Sequence, residues 1–259
     1  MPSNVPLEAL FSVGIFETLK VSRGKVVELD RHLERLVASA HSACPSTKLN
    51  VAKIRQDLLA AIRKEGLREA YVRFTWLETQ NGKGLSFTLV KSPKRIPISF
   101  YRRGVSIETG ATRRNSLASL SGEFKVREFH NGLLSVLDGL DRKGIFERIY
   151  LDRHGYVCEG TISNLFIVKG NTLMTPPRFL GALAGVTRSA VLALGEQEGL
   201  DIMERPFTRF ELYAAQEAFL TNTSLGILPV TKADARTIGD GKVGPRTKKL
   251  MDHYRKEAN

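Results

Sequence analysis

Four short stretches of this chain hold residue types suited to one kind of chemistry. Glu159 stands in Tyr156-Val157-Cys158-Glu159-Gly160-Thr161-Ile162-Ser163-Asn164-Leu165-Phe166, an acid between two strand-like runs. Lys125 lies 34 positions upstream (159 minus 125), inside Glu123-Phe124-Lys125-Val126-Arg127. Gly185-Val186-Thr187-Arg188 opens a helix-like segment, and Thr221-Asn222-Thr223-Ser224 follows a strand-like one. A lysine amine among apolar neighbours loses hydration, which favours the neutral amine that condenses with an aldehyde. A carboxylate can pair with a protonated ring nitrogen and make a cofactor a better electron sink. Free N–H groups at a helix start, helped by the helix dipole, bind a phosphate. Taken singly, each stretch also has a plain reading: a surface lysine, a strand-end acid, a threonine N-cap, a polar turn. Together they describe a set able to hold an aldehyde cofactor that carries a phosphate.

Other chemistries lack their residues. No His/Cys cluster has metal-ligand spacing, so no metal site is expected. No nucleotide-type glycine loop and no Gly-x-Ser-x-Gly elbow is present. The net charge of +12 suits anionic partners, but the basic residues are dispersed, as in Lys91-Ser92-Pro93-Lys94-Arg95 and Arg246-Thr247-Lys248-Lys249. With no aromatic-interleaved basic stripe, a solvated basic surface is the expectation and nucleic-acid binding is not. No apolar run is long enough for a membrane span, and Met1-Pro2-Ser3-Asn4 does not start a signal peptide. Two distant cysteines, Cys44 and Cys158, argue against a disulfide framework and for a cytoplasmic setting.

The elements that must position these residues can be read from periodicity. At 259 residues the chain can bury a sizeable core. Ile15 to Val21 alternates apolar and polar, turns at Ser22-Arg23-Gly24-Lys25 and returns through Val26-Val27-Glu28-Leu29. Asp30 is expected to cap a helix with Leu33, Leu36, Val37 and Ala40 on one face, and Arg35 one turn beyond Arg31. A second helix is expected from Val51 to Lys64, then strands at 70–77 and 85–90 joined by Gln80-Asn81-Gly82-Lys83-Gly84. Pro93 to Arg103 reads as a breaker-rich segment and Val105-Ser106-Ile107-Glu108-Thr109 as a strand. Further on come a helix at 131–143, strands at 146–151, 156–158, 164–168 and 172–175, and a helix from Thr187 to Glu198 stopped by Gly199. A short helix at 210–215 and strands at 218–221 and 227–230 follow. The division expected is a small α/β domain over 1–104, a connecting segment over 105–120 and a larger α/β domain over 121–259.

In order and spacing these segments resemble the class IV pyridoxal-phosphate enzymes, which include the D-amino-acid and branched-chain aminotransferases and 4-amino-4-deoxychorismate lyase. The resemblance runs from Gly14-Ile15-Phe16-Glu17-Thr18 and Arg31-His32-Leu33-Glu34-Arg35-Leu36 to Gly226-Ile227-Leu228-Pro229-Val230, and is most specific around Glu159. It implies a two-domain α/β fold (an α+β arrangement like that of D-amino-acid aminotransferase), pyridoxal 5'-phosphate in an interdomain cleft, and a homodimer. The larger domain would bind the cofactor. By the same resemblance, Lys125 looks like the Schiff-base lysine and proton shuttle, and Glu159 like the partner of the pyridine nitrogen. Arg35, Val186, Thr187 and Thr223 look like the phosphate cup.

The chain departs from the family where an Asn and often a Tyr follow the lysine: Glu128 and Phe129 stand there, and Phe129 has no hydroxyl to offer. A second register would put Glu128 at the lysine position, giving a non-catalytic member. Arg113-Arg114-Asn115 at a family-like distance and the gap to Glu159 favour Lys125. The branched-chain Phe-Glu-Gly turn is absent, since Thr18 follows Glu17, which weakens a branched-chain reading. Arg73, in Tyr71-Val72-Arg73-Phe74, can clamp a carboxylate bidentately, and Lys83 between Gly82 and Gly84 is a second basic candidate on the substrate side. The activity expected is transfer of an amino group from an amino acid to a 2-oxo acid, with the lyase reaction as the alternative.

Overall fold

The computed structural model describes residues 13–44, 47–78, 84–115, 125–126 and 144–257. The chain divides into two compact units. The first comprises residues 1–94 with 124–127 (and residue 259), the second residues 95–123 and 128–258. Residues 95–104 therefore cluster with the second unit. Residues 105–113, expected to connect two domains, form a strand inside its sheet.

In the first unit, β1 (Val13–Ser22), β2 (Lys25–Val26), β3 (Ala70–Glu78) and β4 (Gly84–Lys91) form an antiparallel sheet of order β2-β1-β3-β4. Period-2 alternation turns Ile15, Leu19 and Val21 of β1 and Val72 and Phe74 of β3 into the core. They pack there with Leu33, Leu36 and Ala40 of α1 (Leu29–Ala43) and Ile54, Leu58 and Ile62 of α2 (Val51–Glu65). Asn50 caps α2 by accepting the Lys53 N–H at 3.0 Å, and Gly66 ends it at φ 65°. Asp30 does not cap α1: the helix starts at Leu29, two residues earlier than that cap would set it, with Glu28 at its N-cap and no side-chain cap bond, and Asp30 pairs with Arg55. Val37, expected on the buried face, is 40% exposed.

In the second unit the described residues form a nine-stranded mixed sheet. Its strands are β5 (Val105–Arg113), β6 (Ile145–Leu151), β7 (Val157–Gly160), β8 (Asn164–Lys169), β9 (Thr172–Thr175), β10 (Asp201–Glu204), β11 (Glu217–Asn222) and β12 (Gly226–Ala233). Their order is β10-β9-β8-β11-β12-β5-β6-β7, and β13 (Arg236–Thr237) pairs with β12. The central strands are buried on both faces, so β8 reads as a near-continuous apolar run and β11 carries Ala218, Phe219 and Leu220 in succession. Phe166 and Phe219 lie opposite each other in that ladder, with rings stacked at 5.1 Å.

Among the described residues, four α-helices complete this unit. The stretch read as breaker-rich contains a short one, α3 (Ile98–Arg103), closed by Gly104 at φ 75°. A side chain at Gly104 would meet Thr231 at 2.5 Å. Next come α4 (Val186–Gln197) and α5 (Arg209–Tyr213). The last, α6 (Pro245–Glu257), had no counterpart among the expected elements; both Glu217 oxygens cap it, accepting the Arg246 and Thr247 N–H groups at 3.0 and 2.7 Å. The expected helix at 131–143 lies outside the described residues. Among the described residues, no helix is long and apolar enough to cross a membrane.

Candidate functional site

In the first unit, Lys125 is attached to β1 through its backbone. Its carbonyl accepts the Phe16 N–H at 3.2 Å, its own N–H donates to Ser39 Oγ at 3.1 Å, and Val126 bridges to Ile15. The half-buried side chain places Nζ 4.6 Å from the centroid of the Phe16 ring. The Arg73 guanidinium lies 4.0 Å from that same ring. Two of the expected site residues thus meet on one aromatic side chain, an arrangement the ring's negative face favours. Arg35 goes elsewhere, to Glu17, the residue after Phe16; on a strand these neighbours point to opposite faces. Lys83, Glu128, Phe129 and Asn131 lie outside the described residues.

In the second unit, Glu159 sits within β7 rather than beyond its end, and is 6% exposed. Its Oε2 accepts the Asn164 Nδ2–H at 3.1 Å and the Leu183 N–H at 2.9 Å, and Arg114 Nη2 lies 3.1 Å from Oε1. Arg114 is itself held by donating Nε–H to the Gly181 carbonyl at 2.9 Å. These three described partners are donors, which suits a carboxylate with its about four acceptor positions. Asn164 also touches the start of α4. A Cβ on Gly185 would come 2.1 Å from Asn164 Oδ1, so only glycine permits this approach.

The start of α4 has Gly185 at its N-cap, no side-chain cap bond and no acid in its first turn. Ser189 N–H is bonded to the Gly185 carbonyl, so the N–H groups of Val186, Thr187 and Arg188 precede the first intrahelical bond. Val186 and Thr187 are buried, and Thr187 Oγ1 lies 3.5 Å from the Tyr254 hydroxyl. Thr223 is half-buried in the turn after β11. Asn222 shapes that turn by accepting the Ser224 and Leu225 N–H groups, and ties it to the loop behind Glu159 by donating to the Ile162 carbonyl at 3.2 Å. Thr221, opposite Asn164 in the ladder, has a buried hydroxyl without a hydrogen-bond partner among the described residues. Within this unit, three stretches far apart in sequence converge through Asn164 and Asn222.

Glu147, on β6, is a second buried carboxylate behind Glu159. It accepts Ile162 N–H at 2.6 Å, Thr161 Oγ1–H at 3.2 Å and Ser163 Oγ–H at 2.8 Å. Burial pushes its pKa up to about 7, helped by the nearby Glu159 charge and opposed by those hydrogen bonds. Burial and the same Glu159 charge raise the Cys158 thiol, so this cysteine is held protonated. Glu147, Arg114, Asn164 and Asn222 were not expected as supports. Glu147 sits in the apolar run Ile145 to Leu151, and a charge inside such a run was the available signal.

The arrangement fits a phosphate-bearing pyridine cofactor. The uncapped N-terminus of α4 suits a phosphate, and the donor-held Glu159 suits a ring N–H. A family model described as amino-transferase class IV matches residues 14–233, and the chain belongs to the class IV aminotransferases, whose cofactor is pyridoxal 5'-phosphate. Among particular relatives, the branched-chain-amino-acid aminotransferases of Pseudomonas aeruginosa and Escherichia coli K12 are each 30% identical to it over 258 residues, or 94% of this chain and 83% and 84% of theirs. The solved Escherichia coli branched-chain aminotransferase shares the fold at TM-score 0.90 and 24% identity, over 99% of this chain and 90% of that one. A second solved branched-chain aminotransferase, crystallised with pyridoxamine 5'-phosphate, shares it at TM-score 0.90 and 22% identity, over 98% and 89% of the two chains. The chain is an aminotransferase, and the lyase alternative is not favoured.

Proposed function

We propose that this chain moves the amino group of a branched-chain or similarly apolar amino acid to a 2-oxo acid. The relatives support that substrate class even though Thr18 replaces the glycine of the Phe-Glu-Gly turn. The convergence of Glu159, the start of α4 and the Thr223 turn carries the cofactor assignment. When bound, pyridoxal 5'-phosphate supplies an electron sink for the charge that develops at the substrate α-carbon.

The chain's own residues do the rest. Lys125 would hold the cofactor at its aldehyde carbon. The same Lys125 amine would be the base that moves a proton at the substrate α-carbon. Glu159 keeps the ring nitrogen protonated, and Arg114 balances and orients Glu159. The Val186 and Thr187 N–H groups, Thr223 and Arg35 hold the phosphate. Arg73 takes the substrate carboxylate, with Lys83 as a second basic group on that side. The enzyme reads as a cytoplasmic homodimer, with the second unit as its cofactor-binding domain.

Titration with pyridoxal phosphate should give a visible absorption band that leucine, isoleucine or valine bleaches. Borohydride followed by peptide mapping should fix the cofactor to Lys125. No band, or an adduct on another lysine, removes the Lys125 assignment and leaves the second register, with Glu128 in the lysine's place.

A further inference from the structure

Glu147 is a buried acid to which the proposed chemistry gives no task. Its hydrogen bonds among the described residues all go to one tripeptide, Thr161-Ile162-Ser163. That tripeptide is the turn between β7, which carries Glu159, and β8, which begins at Asn164. The approach is close: a Cβ on Gly160 would come 2.3 Å from Glu147 Oε1, so only glycine leaves the acid its place. The Ile162 side chain is 68% exposed, so its burial does not hold the turn. Bonds to the Ile162 backbone do. Its N–H donates to Glu147 Oε1 at 2.6 Å, and its carbonyl accepts Asn222 Nδ2–H at 3.2 Å.

Asn222 in turn shapes the loop that carries Thr223, because its Oδ1 accepts the Ser224 and Leu225 N–H groups at 2.9 and 2.8 Å. A continuous line of bonds therefore runs from Glu147 through the Ile162 backbone to Asn222 and the Thr223 turn, all within the second unit. We propose that Glu147 is a positioning residue for the cofactor phosphate, acting through Ile162 and Asn222 on the Thr223 turn. This rests on reading Thr223 as part of the phosphate cup.

Three substitutions separate hydrogen-bond geometry from charge. The Ile162 N–H can only donate, so Oε1 must stay an oxygen, whereas the Ser163 hydroxyl facing Oε2 can donate or accept. Glu147→Gln therefore keeps every bond, and Glu147→Leu keeps none. Asn222→Asp keeps the Oδ1 acceptor of the turn and loses the donor to the Ile162 carbonyl, so it cuts the line at its middle. The readout is the dissociation constant of pyridoxal divided by that of pyridoxal phosphate, measured by absorbance titration without substrate. Both probes carry the same ring nitrogen, so a displaced Glu159 or a weakened fold affects them alike and leaves the ratio unchanged.

The ratio should fall about tenfold in Thr223→Val and about fivefold in Glu147→Leu, and stay within about twofold in Glu147→Gln. Added to Asn222→Asp, Glu147→Leu should change it by less than about twofold, because two substitutions on one line are not additive. If Thr223→Val leaves the ratio unchanged, the Thr223 hydroxyl does not hold the phosphate and the inference falls with that reading. If Thr223→Val lowers it and Glu147→Leu does not, Thr223 stands and the positioning role of Glu147 is overturned. A loss in Glu147→Leu that Glu147→Gln shares, or that persists in full beside Asn222→Asp, overturns the route through Ile162. Should Glu147→Leu fail to fold by circular dichroism, Glu147→Asp takes its place under the same criteria, its carboxylate one methylene short of Ile162.

Discussion

Glu17 in the first unit and Glu147 in the second are both nearly fully buried, at 2% and 5% exposure. Their environments nevertheless drive them in opposite directions. For each, burial is the largest influence and pushes the pKa up. Around Glu17, the hydrogen bonds and charges of Arg35 and His32 outweigh burial and hold the carboxyl at about 2. Around Glu147, the donors are a backbone N–H and two hydroxyls, all neutral, and the charge that acts on it is another carboxylate, Glu159. Its pKa rises to about 7. Burial therefore does not decide whether an acid is ionised here; the charge of its partners does.

The strongest way to break the contrast is to remove the cation. Arg35→Met leaves Glu17 buried with His32 alone, and should cost about 3–5 kcal/mol in urea denaturation at pH 7. A loss below about 1 kcal/mol would mean that Arg35 is not what keeps Glu17 charged.

A pH series sharpens the contrast, because the two acids act with opposite sign. Glu17 is depressed from its usual 4.5 to about 2, so its contribution is present above 4.5 and lost as pH falls toward 2. Glu147 is raised from 4.5 to about 7, so its contribution is full below 4.5 and lost as pH rises through 7. Each window is worth about 3 kcal/mol. Relative to Glu147→Gln, the unsubstituted protein should lose about that much stability between pH 4.5 and pH 8. Parallel stability curves for the two proteins would show that Glu147 does not titrate there.

The smallest effect concerns one neutral donor. Ser163→Ala removes the hydroxyl that reaches Glu147 Oε2 at 2.8 Å, and should cost about 1 kcal/mol at pH 8, where the carboxylate is ionised. An unchanged denaturation midpoint there would mean that another donor replaces it.

Most of the elements were legible because their periods are strong. The alternation of Ile15 to Val21, the stripe of Ile54, Leu58 and Ile62, and the stop at Gly199 all reappear in the structure. The shared expectation of a class IV aminotransferase was legible too, because the spacing among Lys125, Glu159, Thr187 and Thr223 belongs to one linear order. The misses have physical reasons. Lys248 and Lys249 made α6 look like a solvated basic tail; its buried apolar residues are Leu250, Met251 and Tyr254, and its cap comes from Glu217, distant in sequence. Prolines obscured α3 because Pro97 sits at its N-cap, where a missing N–H costs nothing. The alternation that placed Phe16 outward also placed Glu17 inward, and a charge on a buried face was a signal for a partner that went unread.

By itself, the sequence determined the residue types, their order and the local periods, since these depend only on neighbours along the chain. Only the tertiary structure decided which charges meet. Arg35 goes to Glu17 while Arg73 and Lys125 share the Phe16 ring, and Glu159 receives Arg114 while Glu147 receives neutral donors. Those pairings join residues on different elements, and the strength of a charge depends on the burial that the packed elements create.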